Sequence, residues 1–301
     1  MRKGEIIEAA GGAGYAEYMA QNVFSPLSMD HTAATLAQSK ENGLATGYRN
    51  YFGFPVAGEP DYPDKRFWSV VPAGYISSSA SDMAKYLQMY LNGGMGIVSQ
   101  DSLNTMLYDN VSVDGGVPSY YGMGWTLTEE CKEPVLGHSG LVENYMSNMF
   151  LLPESGLGVV FLIHMNDYLV GNQLADSVCK NVLLILLGEE PCDVSGSSYL
   201  AGHLLLNVIY SAFATAAIYP IAAIRKWKKK ERTAKGVVFD ILRHGAMSLL
   251  LCAPYLAGVP LWVVWYFVKD MFLVLLISAG LLWAAGLYKI GFRICMRRRN
   301  F

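Results

Sequence analysis

Twenty-six consecutive residues, Tyr199 to Ile224, contain no Asp, Glu, Lys or Arg. As a helix this run is roughly 39 Å long, enough to cross a hydrocarbon core of about 30 Å with some tilt. Two more uncharged runs follow, Gly245 to Phe267 over 23 residues and Met271 to Tyr288 over 18. The chain is therefore expected to end in an all-α region of three transmembrane helices, about 199–224, 245–267 and 271–288. The bland alternative, buried helices of a soluble protein, requires three consecutive helices that are apolar all round.

Charge divides the chain at the same place. Residues 1–197 hold 9 Lys+Arg and 22 Asp+Glu, a net of −13, whereas residues 198–301 hold 14 and 3, a net of +11. Arg225, Lys226, Lys228, Lys229, Lys230, Arg232 and Lys235 lie between spans one and two, and Arg293, Arg297, Arg298 and Arg299 follow span three. Lys269 and Asp270 are the only charged residues between spans two and three, which makes these two a tight hairpin. The positive-inside rule then places the 225–235 loop and the C-terminus in the cytoplasm, and residues 1–197 outside. Flanking of spans explains the basic runs better than nucleic acid does, with contact to anionic membrane lipid as a secondary effect.

The acidic part carries the chemistry. Three short apolar runs, Tyr121–Thr128, Met146–Leu152 and Val159–His164, are each bounded by Gly, Pro, Asn, Asp or charge, which predicts consecutive antiparallel strands. Gly137-His138-Ser139-Gly140 sits between the first two. The glycines permit close approach of a ligand, and the His and Ser are able to pass or donate a proton. On residues alone, a structural turn with an incidental His is the default reading. Ser81–Asn92 predicts a capped helix ended by Gly93-Gly94, with Met83, Ala84, Leu87 and Leu91 in the core. A short helix begins near Ser99, another spans Asn172–Leu187, and Trp125 reads as core.

The order of these segments resembles the C-terminal half of serine β-lactamase-like hydrolases, a group that includes penicillin-binding proteins, class C β-lactamases and related esterases and peptidases. The resemblance is carried by Gly4-Glu5-Ile6-Ile7-Glu8, Tyr15-Ala16-Glu17-Tyr18, Val23-Phe24-Ser25-Pro26-Leu27-Ser28-Met29, Pro72-Ala73-Gly74-Tyr75 with Ser77 to Ala84, and Tyr121 to Trp125 followed by Gly137 to Gly140. It covers about residues 1–190. It implies an α+β domain over 1–197, with helices packed on a five-stranded antiparallel sheet that this chain builds incompletely. It further implies a serine hydrolase acting on small-molecule or peptide substrates through an acyl-enzyme. His138-Ser139-Gly140 occupies the place of the family's third motif, usually Lys-Thr-Gly, on the strand that lines the site. His138 would move a proton or bind a substrate carboxylate, Ser139 would hydrogen-bond substrate, and the Leu141 amide after Gly140 would be one oxyanion donor. No cofactor or metal is implied.

Two motifs of that family, Ser-x-x-Lys for the nucleophile and Tyr-x-Asn or Ser-x-Asn for proton transfer, belong before the Gly4–Glu8 helix. They and an export signal are expected upstream of Met1, and a chain without them is expected to be inactive. Ser177-Val178-Cys179-Lys180 satisfies the first pattern, but late in a packing helix. Tyr48-Arg49-Asn50 and Tyr108-Asp109-Asn110 satisfy the second by chance in a chain with 19 tyrosines. A rival reading is a non-catalytic wall-binding or sensory membrane protein with a degenerate hydrolase domain. Cysteines 131, 179, 192, 252 and 295 follow no metal or redox spacing. Cys179 and Cys192 read either as a pair in an oxidising compartment or as free thiols. His31 and His164 read as structural. His203 reads as interfacial, proton-handling or simply packed, and Glu143, Asn144 and Tyr145 as possible substrate contacts.

Overall fold

The structure is a computed structural model of the 301-residue chain, and it describes residues 3–59, 71–113, 119–129, 131–229, 234–251, 258 and 260–299. These divide into two compact units. One comprises residues 1–49, 55–166 and 171–194, the other residues 50–54, 167–170 and 195–301.

The first unit is α+β. Helices α1 (Lys3–Gly11), α2 (Tyr15–Met19, continued by a π-turn over Ala20–Phe24), α3 (Leu36–Glu41), α4 (Val71–Gly74), α5 (Ala80–Leu91) and α6 (Gln100–Tyr108) precede most of the strands. Serine caps start α5 and α6: the Ser79 and Ser99 hydroxyls accept from the amides of Asp82 and Ser102. The main sheet is antiparallel and six-stranded. Its order is β3 (Val111–Val113), β4 (Ser119–Tyr121), β5 (Thr126–Thr128), β6 (Val135–Val142), β7 (Tyr145–Leu152) and β8 (Leu157–Ile163). A separate three-stranded sheet joins β2 (Phe54–Gly58), β1 (Gly47–Tyr51) and β9 (Met165–Asn166), with β1 and β9 parallel.

The sheet, expected as an incompletely built five-stranded one, has six strands, and the run Tyr121–Thr128 is not one strand. Gly124 takes φ +86° and the Gly122 amide donates to the Trp125 carbonyl, so the chain turns back between β4 and β5. Trp125, placed in that turn rather than on a strand, is 2 % exposed and packs edge-on against Tyr90. The Gly137–Gly140 segment lies wholly within β6 and is not a turn.

Strand alternation gives the sheet two different faces. Leu136, Met149, Leu151 and Val160 meet Tyr15, Phe24, Leu87, Leu103 and Trp125 in the principal core. On the opposite face Val135, Phe150, Leu152 and Val159 meet Leu183 of helix α7 (Gly171–Leu186), in a smaller cluster. Gly188, at φ +67°, ends α7, and the Lys132 ammonium donates to the carbonyls of Leu187 and Gly188 beyond it.

The second unit is helical: α8 (Gly196–Ala222), α9 (Ile224–Lys229), α10 (Ala234–Leu251), α11 (Leu261–Phe267) and α12 (Lys269–Arg299). Two helices among the described residues, Gly196–Ala222 and the Lys269–Met296 part of α12, are long and apolar enough to cross a membrane. Their surfaces are apolar outward, with Leu200, Leu204, Leu276 and Leu287 each more than half exposed. The run expected as a middle span, 245–267, is not one helix among the described residues. Helix α10 starts at Ala234 and takes in Lys235 and Asp240, Gly258 takes φ +84°, and Pro260 caps a new helix. Residues 252–257 and 259 of that run, Cys252 included, lie outside the described residues. Within this unit His203 is a satisfied buried side chain. Its Nε2 lies 2.7 Å from Asp167 Oδ2, which also accepts from Asn50 Nδ2 at 2.9 Å.

Candidate functional site

The four residues singled out from sequence, His138, Ser139, Gly140 and Leu141, fall in consecutive positions on β6. What distinguishes them is where the neighbouring strand stops. β5 pairs with β6 only from Val135 to Gly137, through Thr128↔Val135, Leu127↔Leu136 and Thr126↔Gly137. β7 pairs with all of β6, from Leu136↔Leu151 to Val142↔Tyr145. From His138 onward, therefore, one edge of β6 carries no ladder from β5. An unladdered edge presents backbone N–H and C=O groups to whatever approaches it.

His138 and Ser139 are both exposed at this edge. The His138 Nδ1 lies 2.6 Å from the Ser139 carbonyl oxygen, which can only accept. Nδ1 therefore carries the proton and, in the neutral imidazole, Nε2 is the open base. Tyr121 reaches that nitrogen, with its hydroxyl 3.4 Å from Nε2 and its ring centroid 6.2 Å from the imidazole. The register explains the reach. Tyr121 pairs with Thr126 and Thr126 with Gly137, so Tyr121 stands one step from His138 where β5 has run out. Tyr121 was visible in the sequence as part of Tyr-Gly-Met-Gly-Trp, but its partner was not, because the intervening turn is what folds β4 back. A Cβ at Gly140 would meet the Ser147 hydroxyl on β7, which a change of the Ser147 rotamer would clear.

The turn that follows is a structural anchor. Glu143 and Asn144 are each 1 % exposed. Tyr75 donates its hydroxyl to Glu143 Oε1 at 2.6 Å. Asn144 accepts from Arg49 Nη2 at 2.8 Å and donates to the Gly58 carbonyl at 2.8 Å. The Val142 carbonyl accepts from Asn166 Nδ2 at 2.9 Å, and Tyr145 donates its hydroxyl to the Ala45 carbonyl. These residues, read from sequence as substrate contacts, instead tie the β6–β7 hairpin to β1, β2 and β9.

The chance matches to other motifs lie elsewhere. Ser177 is exposed on α7 and donates its hydroxyl to the Gln173 carbonyl one turn back. Tyr48 packs edge-on against His164, Asn50 accepts from the Gly53 amide in the β1–β2 turn, and Tyr108 ends α6. Cys179 and Cys192 are both free thiols. Cys192 is occupied instead by Asn181, whose side chain both accepts from its amide and donates to its carbonyl. Burial, and secondarily the Asp176 charge, pushes the Cys179 thiol above its usual range despite a hydrogen bond from Asn148, which leaves it protonated and inert. His31 donates its backbone amide to Asp82 Oδ2 at 2.7 Å. No group of three or more His, Cys, Asp or Glu that would hold a metal occurs among the described residues.

The first unit thus places a six-stranded antiparallel sheet between a helical cluster and a terminal helix, with His-Ser-Gly on an open strand edge. The Beta-lactamase family model matches residues 4–176, and the chain belongs to that family. It is 27 % identical over 166 residues to Protein flp of Staphylococcus aureus (strain N315), covering 54 % of this chain and 32 % of that protein. It is 26 % identical over 151 residues to Putative beta-lactamase-like 1 of Homo sapiens, covering 50 % of this chain and 29 % of the relative. The chain thus spans about a third of the length of these curated relatives. Among solved structures, the octameric penicillin-binding protein homologue from Pyrococcus abyssi aligns at TM-score 0.54 and 28 % identity, over 62 % of this chain and 41 % of that one.

Proposed function

We propose that this protein works as an extracytoplasmic serine hydrolase of the beta-lactamase family, held at a membrane by its C-terminal helices and acting on an amide or ester through an acyl-enzyme. The observation that carries the reading is the open edge of β6, where an exposed imidazole whose Nε2 faces the Tyr121 hydroxyl and an exposed serine hydroxyl sit beside backbone groups that β5 leaves unladdered. His138 would relay a proton or, when charged, bind a substrate carboxylate. Ser139 would hydrogen-bond the substrate, Gly140 would admit it to the backbone, and the Leu141 amide would supply one of two oxyanion donors. The second donor and the nucleophile would come from a Ser-x-x-Lys helix, for which Ser177-Val178-Cys179-Lys180 is unsuited by its position on α7. A histidine in place of the family's usual lysine weakens the fixed positive charge at pH 7. That favours small esters or cell-wall peptides over β-lactams, whose recognition leans on a carboxylate.

The helices of the second unit would make three spans, with the basic 225–235 loop and the C-terminus cytoplasmic. Outward-facing leucines on Gly196–Ala222 and Lys269–Met296 support the membrane part of this reading.

The decisive experiment labels the whole protein in its native membrane with a fluorescent fluorophosphonate and a fluorescent penicillin. Labelling is expected at a Ser-x-x-Lys serine, and His138→Ala is expected to slow it by about 10²-fold or more, the usual scale for a lost general acid–base group. Labelling that survives removal of that serine contradicts the reading. A second reading rests on Ser177 being tied to its own helix backbone. In it the domain binds wall fragments without turning them over, and unlabelled protein that still retains wall peptide would favour it.

A further inference from the structure

We propose that the junction of α9 and the last third of α12 is a binding site for the phosphate headgroup of an anionic phospholipid. The inference rests on the membrane reading above. Two cation–aromatic stacks stand next to each other there. Trp227 on α9 is 7 % exposed and donates its indole N–H to Asp240 Oδ2 at 2.7 Å, which fixes the ring. The Lys289 ammonium lies 5.5 Å from the centre of that ring and the Arg293 guanidinium 5.8 Å. One residue along α9, the Lys228 ammonium lies 5.0 Å from the ring centres of both Tyr288 and Phe292, which are themselves stacked at 6.4 Å.

These groups differ in what they can still bind. Lys289 is 4 % exposed, with its ammonium 3.4 Å from His244 Nε2, so it is part of the buried scaffold. Lys228 is exposed and Arg293 is half-buried. A cation resting on an aromatic face keeps its remaining N–H donors directed away from the ring. Lys228 and Arg293 are therefore positioned cations rather than mobile surface charges, and their N–H groups suit the oxygens of a phosphate.

The neighbouring surface identifies the source of that phosphate. Trp283 and Leu287, on the same helix and just before the platform, are 58 % and 62 % exposed. A ligand with a phosphate at one end and hydrocarbon at the other matches this sequence of surfaces, whereas inorganic phosphate uses only half of it. Charge complementarity selects an anionic lipid over a zwitterionic one. Lys228 and Arg293 already give the platform two positive charges, and the choline of a phosphatidylcholine headgroup would add to them.

The test reconstitutes residues 1–301 into vesicles of phosphatidylcholine alone, or of phosphatidylcholine with phosphatidylglycerol. Flotation and resistance to carbonate extraction in phosphatidylcholine alone test the membrane reading by itself; protein stripped from those vesicles overturns that reading and the lipid site with it. Lipid retained after delipidating washes is then measured by native mass spectrometry. The wild type is expected to retain phosphatidylglycerol over phosphatidylcholine. Lys228→Gln with Arg293→Gln should lower that retention about tenfold or more, the scale expected for two interfacial cations. Arg225→Gln with Lys229→Gln makes the same charge change at cations that rest on no ring and should lower retention clearly less than the Lys228, Arg293 pair does. Helix content by circular dichroism verifies folding, and Lys228→Gln alone serves if the double variant unfolds. Equal losses in the two double variants, equal retention of the two lipids, or inorganic phosphate quenching Trp227 as strongly as phosphatidylglycerol does would each overturn the proposal.

Discussion

Replacing Asn144 by alanine tests whether the β6–β7 hairpin is held by its turn. The side chain is 1 % exposed and makes two hydrogen bonds of 2.8 Å, one from the Arg49 guanidinium and one to the Gly58 carbonyl. Truncation removes a charge-assisted bond from the buried Arg49 and a second, neutral bond to the carbonyl of the exposed Gly58. Losing a bond to a charged group costs about 1.5–3 kcal/mol and losing a neutral bond about 0.5–1.5 kcal/mol, which together give about 2–4.5 kcal/mol. That is a large part of the roughly 5–15 kcal/mol that holds a domain folded. At about 2–4 °C per kcal/mol for a unit of this size, the midpoint should fall by about 4–18 °C. The assay is thermal denaturation in detergent followed by near-ultraviolet dichroism, which reports Trp125 packing, with hydrogen exchange on the β6 and β7 amides. Tyr145→Phe, which removes only the hydroxyl bond to the Ala45 carbonyl, should cost about 1 kcal/mol or less. A midpoint within about 2 °C of wild type for Asn144→Ala, with β6–β7 protection unchanged, would refute the reasoning.

Other outcomes follow from the same geometry. Gly47→Ala would put a Cβ 2.7 Å from Asn144 Cβ and 2.6 Å from the Tyr145 ring, and both neighbours are pinned. It should destabilise by about 1–3 kcal/mol, measured by the same melt, whereas Gly156→Ala meets only open space and should lose just its φ +64° preference. Burial raises the Asp82 carboxyl, but bonds from the His31 amide, the Thr32 hydroxyl and Lys85, together with the Lys85 charge, outweigh it and hold the group below its ordinary 3.8. A depressed carboxyl contributes stability that is complete above its unfolded value and is lost as pH falls through its folded one. Acid unfolding below about pH 4 should therefore be shallower in Asp82→Asn, as read from melts across an acid pH series. Residues 1–301 in detergent should hydrolyse neither nitrocefin nor p-nitrophenyl esters above a heat-denatured control. Turnover that vanished with Ser177→Ala would show that α7 carries a nucleophile after all.

How far the sequence disclosed this arrangement depends on the range over which each feature is determined. Helix α5 was legible to within a residue, because Ser79, the apolar spacing and Gly93-Gly94 are all local. Helix α7 likewise runs Gly171–Leu186 against an expected 172–187. The break between β4 and β5 was written in Gly122 and Gly124, but the flanking tyrosine and tryptophan read equally well as one strand. The burial of Glu143 and Asn144 had no local signal. Arg49 lies 95 residues from Asn144 and Tyr75 lies 68 from Glu143, and polar residues in a short turn ordinarily face water. The middle apolar run misled for a related reason. Lack of charge marks a segment that tolerates lipid, but it does not require one unbroken helix, and Gly258 with Pro260 interrupts it.

His138 and Ser139 are adjacent on a strand, and their side chains must therefore leave opposite faces of the sheet. His138 shares its face with Leu136 and Met149 of the principal core, while Ser139 is paired with Asn148, which bonds Asp176 on the α7 side. In a strand laddered on both edges, two such residues serve different compartments and no single ligand meets both. Here β5 ends opposite Gly137, so both side chains open on the same rim and a ligand approaching in the plane of the sheet reaches them together. The short β5 is thus as necessary to the candidate site as the His-Ser-Gly triplet. A four-residue extension of its ladder toward Val142 would occupy the His138–Leu141 backbone while leaving every site side chain in place.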